Sequence, residues 1–339
     1  MKQQDVDIKD FVSFFPLKDE VKDKHFCVTG ATGLIGSVLV KCLLALDASI
    51  KVTVPVRNRE KAMAVFGDLY GRLIVEQFVS LEEWSDSLEQ RFDYIVHCAS
   101  PTNGKFMQEN PVDTFALAYQ STYNLLRTCQ RMNIQGFVYL SSLEYYGQIL
   151  DDSVPVTEDV QGFVDSVSAR SSYPLGKRAA EYLCYAFATQ YGVNAKVARL
   201  TQTFGAGVAP DDNRVFAQFV RSIINNKNIV LHTAGASAKP YCYTTDCISA
   251  ILYILLKGDK GQAYNVANDE SYISIKELAN FLCATFNPSI SVSTELHNDY
   301  GYAPETKLRL STGKLKALGW KPQYSLKEMF ERLIVSFND

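Results

Sequence analysis

Tyr173 and Lys177 stand four residues apart in a stretch that reads as one helix, the spacing at which a lysine can assist a tyrosine in acid–base chemistry. A free phenol, with a pKa near 10, is a poor base at neutral pH, so a tyrosine that takes a proton needs its phenolate stabilised. Lys177 could supply that charge. Pro174 suits the first helical turn, and the run from Leu175 to Tyr191 holds no further proline, so the two side chains fall on adjacent turns of one face. Tyrosine and lysine also recur at this spacing on helix surfaces that do no chemistry. The pair has to be weighed with what precedes it.

What precedes it is a phosphate-binding turn. Phe26-Cys27-Val28-Thr29 reads as a buried strand, Gly30-Ala31-Thr32-Gly33-Leu34-Ile35-Gly36 as a glycine-punctuated turn, and Val38 to Leu46 as an apolar helix. A strand that feeds a helix through glycines leaves backbone N–H groups and the positive end of the helix dipole open to a pyrophosphate. Gly30, Thr32, Gly33, Leu34, Ile35 and Gly36 are therefore the candidate dinucleotide cradle. Beside a bound dinucleotide, the tyrosine and lysine acquire a task.

The elements that must position these groups alternate. Lys51 to Val56, Tyr94 to Cys98, Phe137 to Ser141 and Lys196 to Leu200 read as strands separated by helices, the pattern of a parallel sheet with helices on both faces. Helices at Val112 to Met132 and Leu175 to Tyr191 are apolar nearly all round, so each needs cover beyond the sheet. After Gly205 the chain is loop-rich, with a helix from about Phe216 to Asn226, a strand at Ile229 to His232 and a helix at Thr245 to Lys257. Asp10 to Leu17, ahead of the first strand, is too apolar for a free tail and is predicted to dock as a short helix.

Composition narrows the function classes. The 339 residues are 47% apolar, enough for a large core and a second lobe, and the net charge of −3 is scattered, with no basic face for nucleic acid. Eight cysteines lie in apolar elements without a Cys-x-x-Cys pair, which predicts reduced core thiols rather than disulfides or a metal. His25, His97, His232 and His297 show no ligand spacing, and His97 fits packing at a strand end. No apolar stretch reaches the length of a membrane span and the start is polar, so the protein is read as cytoplasmic.

Five segments in order resemble the extended short-chain dehydrogenase/reductases of the nucleotide-sugar epimerase, dehydratase and decarboxylase group, from about Lys24 to the C-terminus. They are Thr29 to Gly36, Asp93-Tyr94-Ile95-Val96-His97-Cys98-Ala99-Ser100, Tyr139-Leu140-Ser141-Ser142-Leu143-Glu144-Tyr145-Tyr146-Gly147, Tyr173 to Lys177, and Leu318-Gly319-Trp320-Lys321-Pro322. The resemblance implies a doubly wound parallel Rossmann sheet with a smaller, discontinuous α/β substrate lobe. Residues 1–23 would be an extension, 24–204 with 238–270 the dinucleotide-binding domain, and 205–237 with 271–339 the substrate lobe. It further implies cofactor contacts from Cys98, Ala99, Ser100, Ser141, Tyr173, Lys177 and Leu200, with Ser142 as the catalytic hydroxyl. In similar enzymes the two apolar helices form a two-fold interface, which predicts a homodimer.

The implied chemistry is oxidation of the C4 hydroxyl of a nucleotide sugar, with Tyr173 taking the proton, Lys177 lowering the tyrosine pKa and Ser142 bonding the reacting oxygen. The 4-keto intermediate would then be epimerised, dehydrated or decarboxylated. Glu144, two residues beyond Ser142, would share its face by strand alternation and act near C5, as in the dehydratases and decarboxylases. Its alternative role is to bond nearby backbone. Leu143 stands where dehydratases often carry an aspartate acid.

Other departures leave the ligands open. The second strand ends in Val56-Arg57-Asn58-Arg59 without the carboxylate that reads the adenine ribose in NAD enzymes. Arg57 could hold the 2′-phosphate of NADP, stack on adenine, or be a solvated loop residue; NAD is the cofactor favoured, with NADP as the alternative. Gln202 replaces a substrate-diphosphate asparagine, and Lys239 replaces an arginine, keeping charge but losing the bidentate fork. Arg214 matches an arginine that reaches the nucleotide in decarboxylases, or lies at a helix edge on the surface. The rival functions are an NADPH-dependent carbonyl reductase and a non-catalytic dinucleotide-sensing protein.

Overall fold

Phe26, Cys27, Val28 and Thr29 are all buried, on both faces of their strand, as befits the middle of a parallel sheet covered by helices on either side. In the computed structural model, which describes residues 1–89, 92–101, 104–296 and 305–339, that strand is β1 (His25–Thr29) of a seven-stranded sheet. Its partners are β2 (Lys51–Val56), β3 (Ile74–Gln77), β4 (Tyr94–His97), β5 (Gly136–Ser142), β6 (Ala195–Leu200) and β10 (Ala263–Val266). The order is β10-β6-β5-β4-β1-β2-β3 and every pairing is parallel. That is a doubly wound Rossmann sheet, with the order reversing between β1 and β4, the place beyond whose carboxyl ends sheets of this kind bind ligands.

Helices α1 (Gln3–Phe14) and α2 (Lys18–Val21) precede the sheet. Between and beside its strands run α3 (Leu34–Leu46), α4 (Arg59–Phe66), α5 (Leu81–Ser87), α6 (Gly104–Glu109), α7 (Pro111–Met132), α8 (Ser172–Tyr191) and α10 (Thr244–Lys257). A second body holds β7 (Gln202–Phe204), β9 (Ala238–Tyr243) and β11 (Asn268–Ser274) in the order β11-β9-β7, and β8 (Ile229–Leu231) paired with β12 (Val292–Thr294). Around them lie α9 (Val215–Ile224), α11 (Ile275–Phe286) and α13 (Leu326–Ser336), while α12 (Gly313–Ala317) packs on β10 and buries Leu315 in the Rossmann core. Phe204, Phe216, Tyr241 and Phe330 centre this body's own apolar core.

The N-terminal helix differs from the short segment expected at Asp10 to Leu17. It spans Gln3 to Phe14 and takes in the polar start, because Asp7 is paid back for its burial by three donors: Tyr243 Oη at 2.6 Å, Arg332 at 2.7 Å and Gln3 Nε2 at 2.8 Å. Phe11 and Phe15 stack at 5.1 Å inside the Rossmann core, whereas Phe14 packs on both cores. Pro16 cannot continue the helix. The eight cysteines are free thiols, and among the described residues no group of histidines, cysteines and carboxylates could hold a metal. His297 lies outside the described residues. No described helix is long and apolar enough to cross a membrane.

Candidate active site

The turn after β1 divides its glycines by task. Gly30 sits at φ 65°, and a Cβ there would come within 2.7 Å of the Ala99 nitrogen; one on Gly36 would lie 2.4 Å from the Gly30 oxygen. Both are therefore packing positions. A Cβ on Gly33 would meet only the Gly30 oxygen, at 3.4 Å, so this residue leaves the turn open from outside. Ser37 N donates the first helical bond, to Gly33 O at 2.9 Å, which puts the amides of Leu34, Ile35 and Gly36 at the free end of α3. With Thr32 half-buried alongside, this is a fitting cradle for the pyrophosphate of a dinucleotide.

At the end of β4, Ala99 N donates to Thr29 Oγ1 at 3.3 Å, and that hydroxyl lies 2.7 Å from His97 Nδ1. His97 Nε2 is 3.1 Å from Ser121 Oγ. Burial, reinforced by Lys177, lowers the His97 pKa to about 3, so the ring is a neutral packing piece. Cys98 and Ser100 are half-buried beside it, and burial pushes the Cys98 thiol up. Ser142 lies opposite Leu200 in the β5–β6 register, which brings both to the same sheet edge.

Tyr173 and Lys177 occupy the first turns of α8 over this edge. The phenol's pKa is raised, by burial first and by the Glu144 charge second, while the hydroxyls of Ser142 and Ser100 act the other way. The expectation that Lys177 lowers it is not met by this arrangement. Lys177 Nζ donates to Leu140 O at 2.8 Å and lies 5.4 Å from the Tyr173 ring centroid and 4.7 Å from that of Tyr139. Only 2% exposed, it has its own pKa lowered to about 8 by burial, with Glu181, Cys98 and Glu144 opposing.

Glu144 is placed by a device the sequence reading missed. Strand β5 stops at Ser142, and Glu144 rides a 3₁₀ turn, Leu143–Tyr146, whose cap is Ser142 Oγ accepting from Glu144 N at 3.2 Å. Alternation along a strand therefore does not set its direction. Its side chain is exposed, yet desolvation by surrounding protein raises its pKa against the charges of Lys239, Arg170 and Lys177. Lys239, half-buried at the start of β9, is lowered by burial, with Glu144 opposing. Gln202 starts β7, which pairs with β9.

Other predicted residues stand apart. The Ser141 hydroxyl points to buried Glu181, which a 2.8 Å ion pair ties to Arg199 on β6, so its side chain serves the sheet rather than the cleft. The reason is the alternation of β5, which sends Ser141 and Ser142 to opposite faces. The Arg214 guanidinium folds back on its neighbour Asp212, with Nη2 at 2.6 Å, and its side chain is 41% exposed. Arg57 is exposed at the end of β2. Arg170 and Glu181 were missed. Glu181 left a signal, as a carboxylate four residues after Lys177 in a largely apolar helix.

The geometry has its counterparts among known proteins. The model of the NAD dependent epimerase/dehydratase family matches residues 26–267. UDP-glucuronic acid decarboxylase 6 of Arabidopsis thaliana is 27% identical over 314 residues, covering 89% of this chain and 85% of the relative. UDP-glucuronic acid decarboxylase 1 of Danio rerio is 27% identical over 338 residues, covering 96% and 75%. Two solved structures share the fold: UDP-glucose 4-epimerase of Thermotoga maritima, with TM-score 0.78, 20% identity and coverage of 93% and 98%, and UDP-glucuronic acid 4-epimerase of Bacillus cereus in complex with UDP-glucuronic acid and NAD, with TM-score 0.75, 19% identity and coverage of 93% and 99%. On the family match, which spans most of the chain, this protein is an enzyme of the NAD dependent epimerase/dehydratase family.

Proposed function

We propose that the enzyme oxidises the C4 hydroxyl of a nucleotide sugar and then breaks the C5–carboxyl bond of the resulting 4-keto uronate, releasing carbon dioxide. NAD, held by the Gly30 to Gly36 turn, would supply the hydride acceptor and donor for C4. Tyr173 takes the C4 hydroxyl proton, Ser142 and Ser100 hold that exchange in line, and Lys177 is the cation beneath it. The electron pair of the broken bond passes into the C4–C5 enolate, and Glu144, protonated more readily than an ordinary carboxyl, delivers a proton to C5. Tyr173 then gives its proton back to the C4 oxygen, and the net change is loss of carbon dioxide without net oxidation.

The observation that carries this reading is the Tyr173 and Lys177 pair, 5.4 Å from ammonium to ring centroid, set with Ser142 at the end of the sheet that also carries the open Gly33 turn. Decarboxylation is favoured over dehydration because Leu143 cannot protonate a leaving hydroxyl, and because Lys239 and Arg170, the cations acting on Glu144, suit a substrate carboxylate. The decarboxylase relatives point the same way. Arg214 and Gln202 would serve the nucleotide diphosphate, and the exposed Val112, Tyr119, Tyr123, Tyr182 and Tyr185 of α7 and α8 suit a homodimer. Residues 24–204 with 238–270 would hold the cofactor, and 205–237 with 271–339 the sugar nucleotide. Mass spectrometry of the protein with UDP-, GDP-, CDP- and dTDP-sugars, UDP-glucuronate among them, tests the reading: a product lighter by carbon dioxide is expected, and a panel wholly unchanged would refute it.

A further inference from the structure

Glu144 stands on a turn held from more than one side: Tyr146 Oη donates to Asn265 Oδ1 at 2.6 Å and accepts from Arg199 at 3.0 Å, and a separate hold on the turn's carbonyls comes from α8. Arg178 Nε donates to Tyr145 O at 2.8 Å, and its Nη2 donates to Gly162 O at 2.8 Å and to Tyr146 O at 3.4 Å. The guanidinium also lies 5.4 Å from the Tyr145 ring centroid, while the guanidinium of Arg199 lies 3.5 Å from the same centroid. One side chain thus binds three carbonyls from two stretches of chain. Those stretches are joined in turn: Gly162 N donates to Tyr146 O at 2.8 Å, and Gln148 N to Phe163 O at 2.9 Å. Only a planar fork with several fixed donors makes such a set, which a lysine cannot copy.

The position of Arg178 in the helix gives this brace a chemical consequence. It follows Lys177 directly and lies five residues from Tyr173, so the helix that carries the C4 acid–base pair also holds the turn that carries Glu144. We propose that Arg178 is a positioning residue, fixing Glu144 relative to Tyr173 so that proton transfer at C5 depends on it while oxidation at C4 does not. This rests on the reading of Glu144 as the C5 proton carrier. Arg178 touches no reacting atom; it acts through the backbone of Tyr145 and Tyr146.

The test uses the full-length enzyme with UDP-glucuronate in deuterated water and three readouts: reduced dinucleotide in a single turnover, deuterium at C5 of the product, and amide hydrogen exchange across residues 143–147. For Arg178→Ala the expected result is C4 oxidation within about threefold of the parent, C5 labelling slower by about tenfold or more, and faster exchange in the turn, with Arg178→Lys between the two. Parent-like labelling and exchange would overturn the proposal, and so would equal losses at C4 and C5, which would mark a general structural role. Should the alanine variant fail to fold, Arg178→Lys carries the same comparison with smaller changes. Glu144→Gln separates the underlying reading: if it keeps full C5 labelling, or if UDP-glucuronate is not turned over, that reading fails, and amide exchange alone decides whether Arg178 holds the turn.

Discussion

Lys177 faces Tyr173 from one helical turn away, but its ammonium is bonded to the Leu140 carbonyl at 2.8 Å and not to the phenol, 5.4 Å from whose ring centroid it lies. Burial first and the Glu144 charge second raise the phenol's pKa, and the hydroxyls of Ser142 and Ser100 act against them. In this arrangement the groups that favour the phenolate are the two serine hydroxyls and not a bond to the lysine.

Tyr173→Phe removes one hydroxyl and no packing volume, so hydride transfer should fall by at least about a hundredfold with dinucleotide affinity nearly unchanged. Single-turnover absorbance and titration of the cofactor check both halves. Near-normal turnover would remove Tyr173 from the chemistry.

The buried ammonium of Lys177 makes stability depend on pH. Its pKa is about 8 in the fold against 10.5 in the unfolded chain, so between these values the unfolded state binds more protons and stability rises with pH. The charged form costs a few kcal/mol at most below about pH 8, and the cost fades towards pH 10.5. Thermal unfolding of the parent and of Lys177→Met from pH 7 to pH 10 should show the parent gaining on the variant as pH rises. A constant difference would contradict a depressed Lys177.

The glycines of the turn should separate folding from binding. Gly36→Ala places a methyl 2.4 Å from the Gly30 oxygen and should lower Tm, whereas Gly33→Ala makes only an ordinary 3.4 Å contact with that oxygen and should leave Tm within a few degrees while weakening the dinucleotide about tenfold. Thermal shift and cofactor titration tell these apart.

If Arg57 reads a 2′-phosphate, Arg57→Ala should weaken NADP far more than NAD, by about 1.5 to 3 kcal/mol for a lost charge-assisted contact. Equal effects on both cofactors would leave Arg57 a surface residue and the NAD assignment undisturbed.

The parts of the site that were legible in the sequence are those set by short spacing. The Gly30 to Gly36 turn, the Tyr173 and Lys177 pair, and the strand ending at Ser142 each lie within one element or one turn, so local rules reach them. Glu144 escaped because a 3₁₀ turn begins where alternation was extrapolated. Ser141 was assigned to the cofactor when its partner, Glu181, lies 40 residues away on α8. The start of α1 was missed for the same reason: Asp7 is buried because Arg332, 325 residues on, meets it. Tertiary partners of a buried charge leave no mark in its own stretch of chain.

The central claim is C4 oxidation followed by chemistry at C5, and one measurement tests it most directly: mass and NMR analysis of the product formed from UDP-glucuronate in deuterated water. The account predicts a nucleotide pentose, lighter by carbon dioxide, with one deuterium at C5. A product of unchanged mass with inverted C4 and no deuterium on the ring would contradict it and make the enzyme a plain 4-epimerase.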